Sequence, residues 1–154
     1  MMNPQFPFPK IMSQTKNLNE CRRGVIKGIE ITVYRPKYFG KKEFANVYCR
    51  LIEAAKKREL VYYGKIGKIM GIFQPGNRLS KETGQMLGEI SQFEHDHNRP
   101  LLSAVVVRPD LKPERPGKGF FELAKELNKF KEGSKEDQEK FWKQELQAVY
   151  ATWG

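Results

Sequence analysis

Cysteine, histidine and aspartate are scarce in this chain, and each scarcity excludes a chemistry. Cys21 and Cys49 are the only cysteines, which makes neither a disulfide framework nor a metal-binding quartet. His95 and His97 are the only histidines. Two residues apart on a helix they point in different directions, so a shared metal needs an extended end there. Glu94 or Asp96 would be the further ligands, with no third His or Cys pair in support. The first aspartate is Asp96 and no Glu-x-Lys occurs, so a restriction-type nuclease core lacks its carboxylates. Gly-x-Ser-x-Gly and the phosphate-binding Gly-rich loop are both missing. A metal-dependent nuclease centred on the His pair is the one enzymatic reading left, and no metal or cofactor is expected. No apolar run approaches the roughly 20 residues needed to span a bilayer. The N-terminal MMNPQFPFPK lacks the basic-then-apolar order of a secretory signal, so a cytoplasmic protein without membrane partners is expected.

Positive charge is abundant. The 154 residues carry 28 Lys+Arg against 18 Asp+Glu, a net +10. Residues 1–60 hold 13 basic and 5 acidic side chains, residues 61–120 hold 9 and 6, and residues 121–154 hold 6 and 7. The excess therefore lies before residue 120, where clustered cations would release counterions from a polyanion. The competing reading is a solvated surface biased toward solubility. The length suits one domain. With 39% hydrophobic and 12% aromatic residues, the chain has enough for a core.

Pro4, Pro7 and Pro9 forbid helix at the start, and residues 1–20 read as an extended arm that docks Phe6 and Phe8. GVIKGIEITVY alternates, with Ile29, Ile31 and Val33 on one face, as a strand does; Gly28 reads as a bulge. From Glu43 to Arg58 the pattern turns helical, through Phe44, Val47, Tyr48, Leu51, Ile52 and Ala55. A short helix follows over Tyr63–Met70, then a turn at GIFQPGNR. Ser80 reads as the N-cap of a third helix, with Glu82 in its first turn and Thr83, Met86, Leu87, Ile90 and Phe93 buried. LLSAVVV at 101–107 reads as a buried strand. The loop RPDLKPERPGKG leads into a helix from Gly119 to about Asn128. A last helix, capped by Ser134 with Glu136 and Asp137 in its first turn, carries Trp142, Leu146, Val149, Tyr150 and Trp153.

Three helices followed by a strand and a basic loop is the order of a winged helix-turn-helix, whose third helix enters the major groove. That helix would present Arg78, Lys81, Gln85 and Gln92 outward, with Gln85 the best reader of a base edge. Glu82 and Glu89, also expected outward, count against it because carboxylates repel phosphate. Proline stiffens the loop that spaces Arg108, Lys112, Arg115 and Lys118, so it can follow a phosphate backbone at little ordering cost; otherwise it is a solvated connection. Lys41, Lys42, Lys56, Lys57 and Arg58 are weaker candidates. Pro116-Gly117-Lys118-Gly119 opens a helix and is a weak anion-binding match.

Tyr63, Gly67, Gly84, Gly88, Pro100, the segment Val105–Val107 and Gly117 with Gly119 form a pattern of their own. The stretch from Tyr63 to about Ala124, under half of the chain, resembles the DNA-binding domain of the alkyltransferase-like proteins. That family's reactive Pro-Cys-His-Arg appears here as Pro100-Leu101-Leu102-Ser103, so alkyl transfer to the protein is not implied. What the resemblance implies is non-catalytic DNA binding, in the minor groove.

The expectation is therefore an α+β protein. It has an arm at 1–20 and a single winged-helix-like domain at 21–154, with an N-terminal strand and two C-terminal helices. The expected partner is nucleic acid, duplex DNA foremost, bound through Arg78, Lys81, Gln85, Arg108, Lys112, Arg115 and Lys118. The alternative is a protein-interaction module, such as a small regulator or inhibitor of a nucleic-acid enzyme, that uses Phe141, Trp142, Tyr150 and Trp153 of the C-terminal helix or the Phe-Pro arm.

Overall fold

The computed structural model describes residues 25–26, 29–30 and 36–154. Strands β1 (Val25–Ile26) and β2 (Ile29–Glu30) pair antiparallel, Val25 with Glu30 and Ile26 with Ile29. The single strand expected here is thus two short antiparallel strands, while residues 27–28, with the expected Gly28 bulge, lie outside the described residues. The arm at 1–20 and the run Ile31–Tyr34 lie outside the described residues.

Helix α1 (Lys42–Lys57) forms where the periodicity placed it and buries Phe44, Val47, Leu51, Ala54 and Ala55. Strand β3 (Val61–Tyr62) runs directly into α2 (Tyr63–Ile69). Helix α3 spans Asn77–Asp96. A 3-10 turn at Leu102–Val105 precedes β4 (Val106–Val107), and α4 (Lys118–Glu126) and α5 (Lys135–Trp153) complete the order. Strands β3 and β4 pair in parallel, Val61 with Val106 and Tyr62 with Val107. The described residues thus combine a dominant set of helices with two very small sheets, one antiparallel and one parallel, an α+β arrangement. None of these helices is long and apolar enough to cross a membrane.

The segment 101–107 is the centre of the core, packed by α1, α3 and α5. Only its last two residues are strand; residues 102–105 wind into the 3-10 turn. Side chains take its backbone groups, so most of it has no need of a strand ladder. The Leu101 N–H donates to Glu145 Oε2 at 2.9 Å, the Ser103 N–H to Ser91 Oγ at 3.3 Å, and Trp142 Nε1 donates to Ala104 O at 2.8 Å. Glu145 is in turn neutralised by Lys129 Nζ at 2.6 Å.

Helix ends follow two local rules. Ser134 caps α5 in a reciprocal box with Asp137, as the sequence indicates. Hydrogen bonds from the Ser134 backbone and hydroxyl hold the Asp137 carboxyl below its usual range. Ser80, by contrast, does not start α3. The helix begins one turn earlier after Gly76, whose φ of +134° suits glycine alone, and the Ser80 N–H donates to Gly76 O at 3.2 Å. At the other ends, α1, α2, α3 and α4 each close through a residue with positive φ: Arg58, Gly71, Asn98 and Asn128. In α2 the Gly71 N–H donates to Lys68 O and the Ile72 N–H to Gly67 O, the two bonds of a Schellman motif.

Candidate nucleic-acid interface

Helices α2 and α3 form a tight pair because of one glycine. A Cβ built on Gly67 would overlap Leu79 Cδ1, so the backbone of α2 lies directly against the Leu79 side chain from the first turn of α3. Tyr63, at the start of α2, donates its hydroxyl to Ser80 O at 3.4 Å. Burial pushes the Tyr63 phenol up, with the nearby Arg108 acting in the opposite direction. The turn between the helices (residues 70–76) buries Ile72 and turns Phe73 outward.

On α3, Arg78, Lys81 and Gly84 are exposed, and Gln85, Gly88 and Gln92 are half-buried. No ion pair among the described residues involves Arg78 or Lys81. Glu82 and Glu89, expected on this outer face, are buried instead. Glu89 accepts the backbone N–H groups of Lys37, Tyr38 and Phe39 at 2.8–2.9 Å. Glu82 accepts from the Lys37 ammonium and from the Tyr38 hydroxyl, which together hold its carboxyl below the usual range. Both carboxylates are therefore spent on the segment 37–39. The objection that they would repel phosphate loses its force, because the side that α3 turns to water is cationic. Gln85 is partly committed as well, since its amide donates to Glu89 Oε2 at 2.8 Å. Gln92 likewise donates to Asp96 Oδ1 at 3.0 Å.

An antiparallel bridge between Arg108 and Arg115 closes the loop 108–115. The Arg108 guanidinium makes two bonds to Asp110, at 3.1 and 2.8 Å, which lower the Asp110 carboxyl. Its stem packs on Gly117 at the start of α4, where a Cβ would lie 3.1 Å from Arg108 Cδ. Arg115 donates to Pro113 O at 3.2 Å, and its charge is felt by Glu139 on α5. Lys112 and Lys118 are exposed, Lys118 lying 3.3 Å from Glu122. Arg108 thus stands near Tyr63, beside the α2–α3 pair, whereas Arg115 faces α5. The expected cations do not all converge on one surface.

Between α3 and the start of α4 lies a cavity of about 80 Å³, lined by Tyr63, Gly84, Gly88, Ser103, Gly117 and Phe120. At its side Ser91 Oγ donates to Ser103 Oγ at 2.7 Å. Neither Gly88 nor Gly119 has another atom within 4 Å of where a Cβ would sit. Both glycines line the cavity, and their lack of a side chain serves no close packing contact.

The aromatic C-terminal helix looks inward. Trp142 and Tyr150 are buried, Phe141 packs against Phe120 and Phe130, and Trp153 meets Tyr48 edge to face. The aromatic surface named for a protein partner is largely consumed by the core. His97 Nδ1 lies 2.8 Å from Phe93 O, and no group of three or more His, Cys, Asp or Glu among the described residues is placed to hold a metal ion. Three features escaped the sequence: the exposed Lys65 and Lys68 on α2, and Phe73 in the turn. The signal was present, because no acidic residue stands between Leu60 and Lys81. Comparison with protein-family models, curated proteins and solved structures finds no match for this chain.

Proposed function

We propose that this is a non-enzymatic, cytoplasmic nucleic-acid-binding protein whose preferred target is duplex DNA. The observation that carries the reading is the α3 surface: Arg78 and Lys81 face water without ion pairs among the described residues, while Glu82 and Glu89 are turned inward. A cationic helix start with an open Gly84 next to it lets a phosphate backbone come close. The α2–turn–α3 pair is read as a helix-turn-helix, and the bridged loop 108–115 as its wing. Arg108, Lys112 and Lys118 then add backbone contacts. The resemblance of residues 63–124 to the alkyltransferase-like DNA-binding domain supports the same assignment, without the reactive cysteine.

The test is a gel-shift titration of duplex DNA, single-stranded DNA and duplex RNA across salt concentration. Duplex DNA is expected to bind most tightly, with log affinity falling linearly against log salt. Arg78→Ala and Lys81→Ala should each reduce that slope by about one. Absence of binding to any of the three at low salt would sink the reading.

A further inference from the structure

Phe73 is the most exposed large apolar side chain among the described residues, at 72%. Its position is imposed by the chain. The Schellman closure of α2 turns Ile72 into the core, where it is 5% exposed, and the next residue is sent outward. Gly71 and Gly76, both at positive φ, frame the turn on either side. No aromatic or cation contact among the described residues involves the Phe73 ring. A phenylalanine held in water forgoes the stabilisation that burial would give, and the turn itself does not require an aromatic residue.

The charge around it narrows what would cover it. Lys65 and Lys68 precede it, Arg78 and Lys81 follow, all four are exposed, and none is in an ion pair among the described residues. With no carboxylate between Leu60 and Lys81, the surroundings suit a partner that is anionic and also offers aromatic faces. Nucleic acid combines the two: cations hold phosphates while an apolar ring enters between base steps or stacks on a base. We propose that Phe73 is the residue that makes this aromatic contact with a base of the bound nucleic acid. The proposal rests on the nucleic-acid reading above and adds to it a contact that is apolar, not electrostatic.

The experiment uses the full chain and the duplex titration already described, with two variants of this exposed position. Phe73→Ala should weaken binding roughly ten-fold or more while leaving the salt slope as in the wild type, because no cation is lost. Phe73→Trp should bind comparably, and its added emission, beyond that of Trp142 and Trp153, should be quenched and shielded from acrylamide in the complex. Wild-type binding with Phe73→Ala equal in affinity, or an unquenched Phe73→Trp complex, overturns this proposal alone. Absence of wild-type binding overturns it together with the reading it rests on.

Discussion

Arg99 grips the Glu94 carboxylate with two bonds, Nε at 2.8 Å and a terminal nitrogen at 3.0 Å, inside a site where the Glu94 side chain has no solvent exposure. The Tyr48 hydroxyl donates to the same carboxylate, and the Arg99 guanidinium lies 5.6 Å from the ring centres of both Phe93 and Trp153. One ion pair therefore ties the end of α3 to α1 and to the end of α5.

Removing one partner leaves an uncompensated charge in low dielectric. Glu94→Gln should destabilise the protein by about 3 kcal/mol, read as a lower urea midpoint at unchanged slope. The joint replacement of Glu94 by Leu and Arg99 by Met should cost less than Glu94→Gln alone. A stability unchanged by Glu94→Gln would show that the pair contributes nothing.

Gly67 should accept a side chain only at a cost. Gly67→Ala places a Cβ on Leu79 Cδ1 and 3.1 Å from Ile72 O, so the half-buried Leu79 side chain must take another rotamer and the turn carbonyl must give by a few tenths of an ångström; a loss of about 1 kcal/mol is expected. Gly88→Ala is the control. It meets nothing within 4 Å and replaces a poor helix former, so thermal unfolding should show unchanged or raised stability.

Alkali should loosen the segment 37–39. Burial, then the Glu82 hydrogen bond and charge, push the Tyr38 phenol up to about 12, against about 10 in an unfolded chain. A raised folded value means the contribution is complete below pH ~10 and is lost as pH climbs from there toward 12. Tyr48 is raised in the same direction by burial and by Glu94. Chemical unfolding measured between pH 9 and 12 should show this decline, and Tyr38→Phe should make it shallower.

Asp110 restrains a cation that the interface would use. Asp110→Asn releases the Arg108 guanidinium from its two bonds and removes a negative charge from the loop. Duplex affinity at low salt should rise by a few-fold, with a steeper salt slope. An affinity unchanged in gel-shift titration would place Arg108 away from the bound phosphate backbone.

What the sequence made legible was local. The stripe Phe44–Val47–Leu51 marked α1, and Ser134 with Asp137 marked the start of α5, because their causes lie within one or two turns of chain. The failures came from partners distant in sequence. Glu89 looks like a surface residue until Lys37, Tyr38 and Phe39 supply three backbone donors. LLSAVVV has the composition of a buried strand, but Ser91, Trp142 and Glu145 take its backbone groups from two other helices. At the candidate interface, Arg78 and Lys81 were legible as exposed cations. The inward turn of the carboxylates beside them was not, nor was the projection of Phe73, which depends on where α2 ends.

The two-residue ladder between β3 and β4 joins Val61 to Val106 and Tyr62 to Val107. So short a ladder cannot hold its ends together before the intervening α2, α3 and 3-10 turn have collapsed, since closing a long loop costs entropy that few bonds return. The α2–α3 hairpin, made of contacts close in sequence, is expected to form first in refolding, with the ladder closing over it late. On that expectation the parallel pair is a clasp on a finished assembly, and Val61→Ala should speed unfolding while leaving the folding rate nearly unchanged.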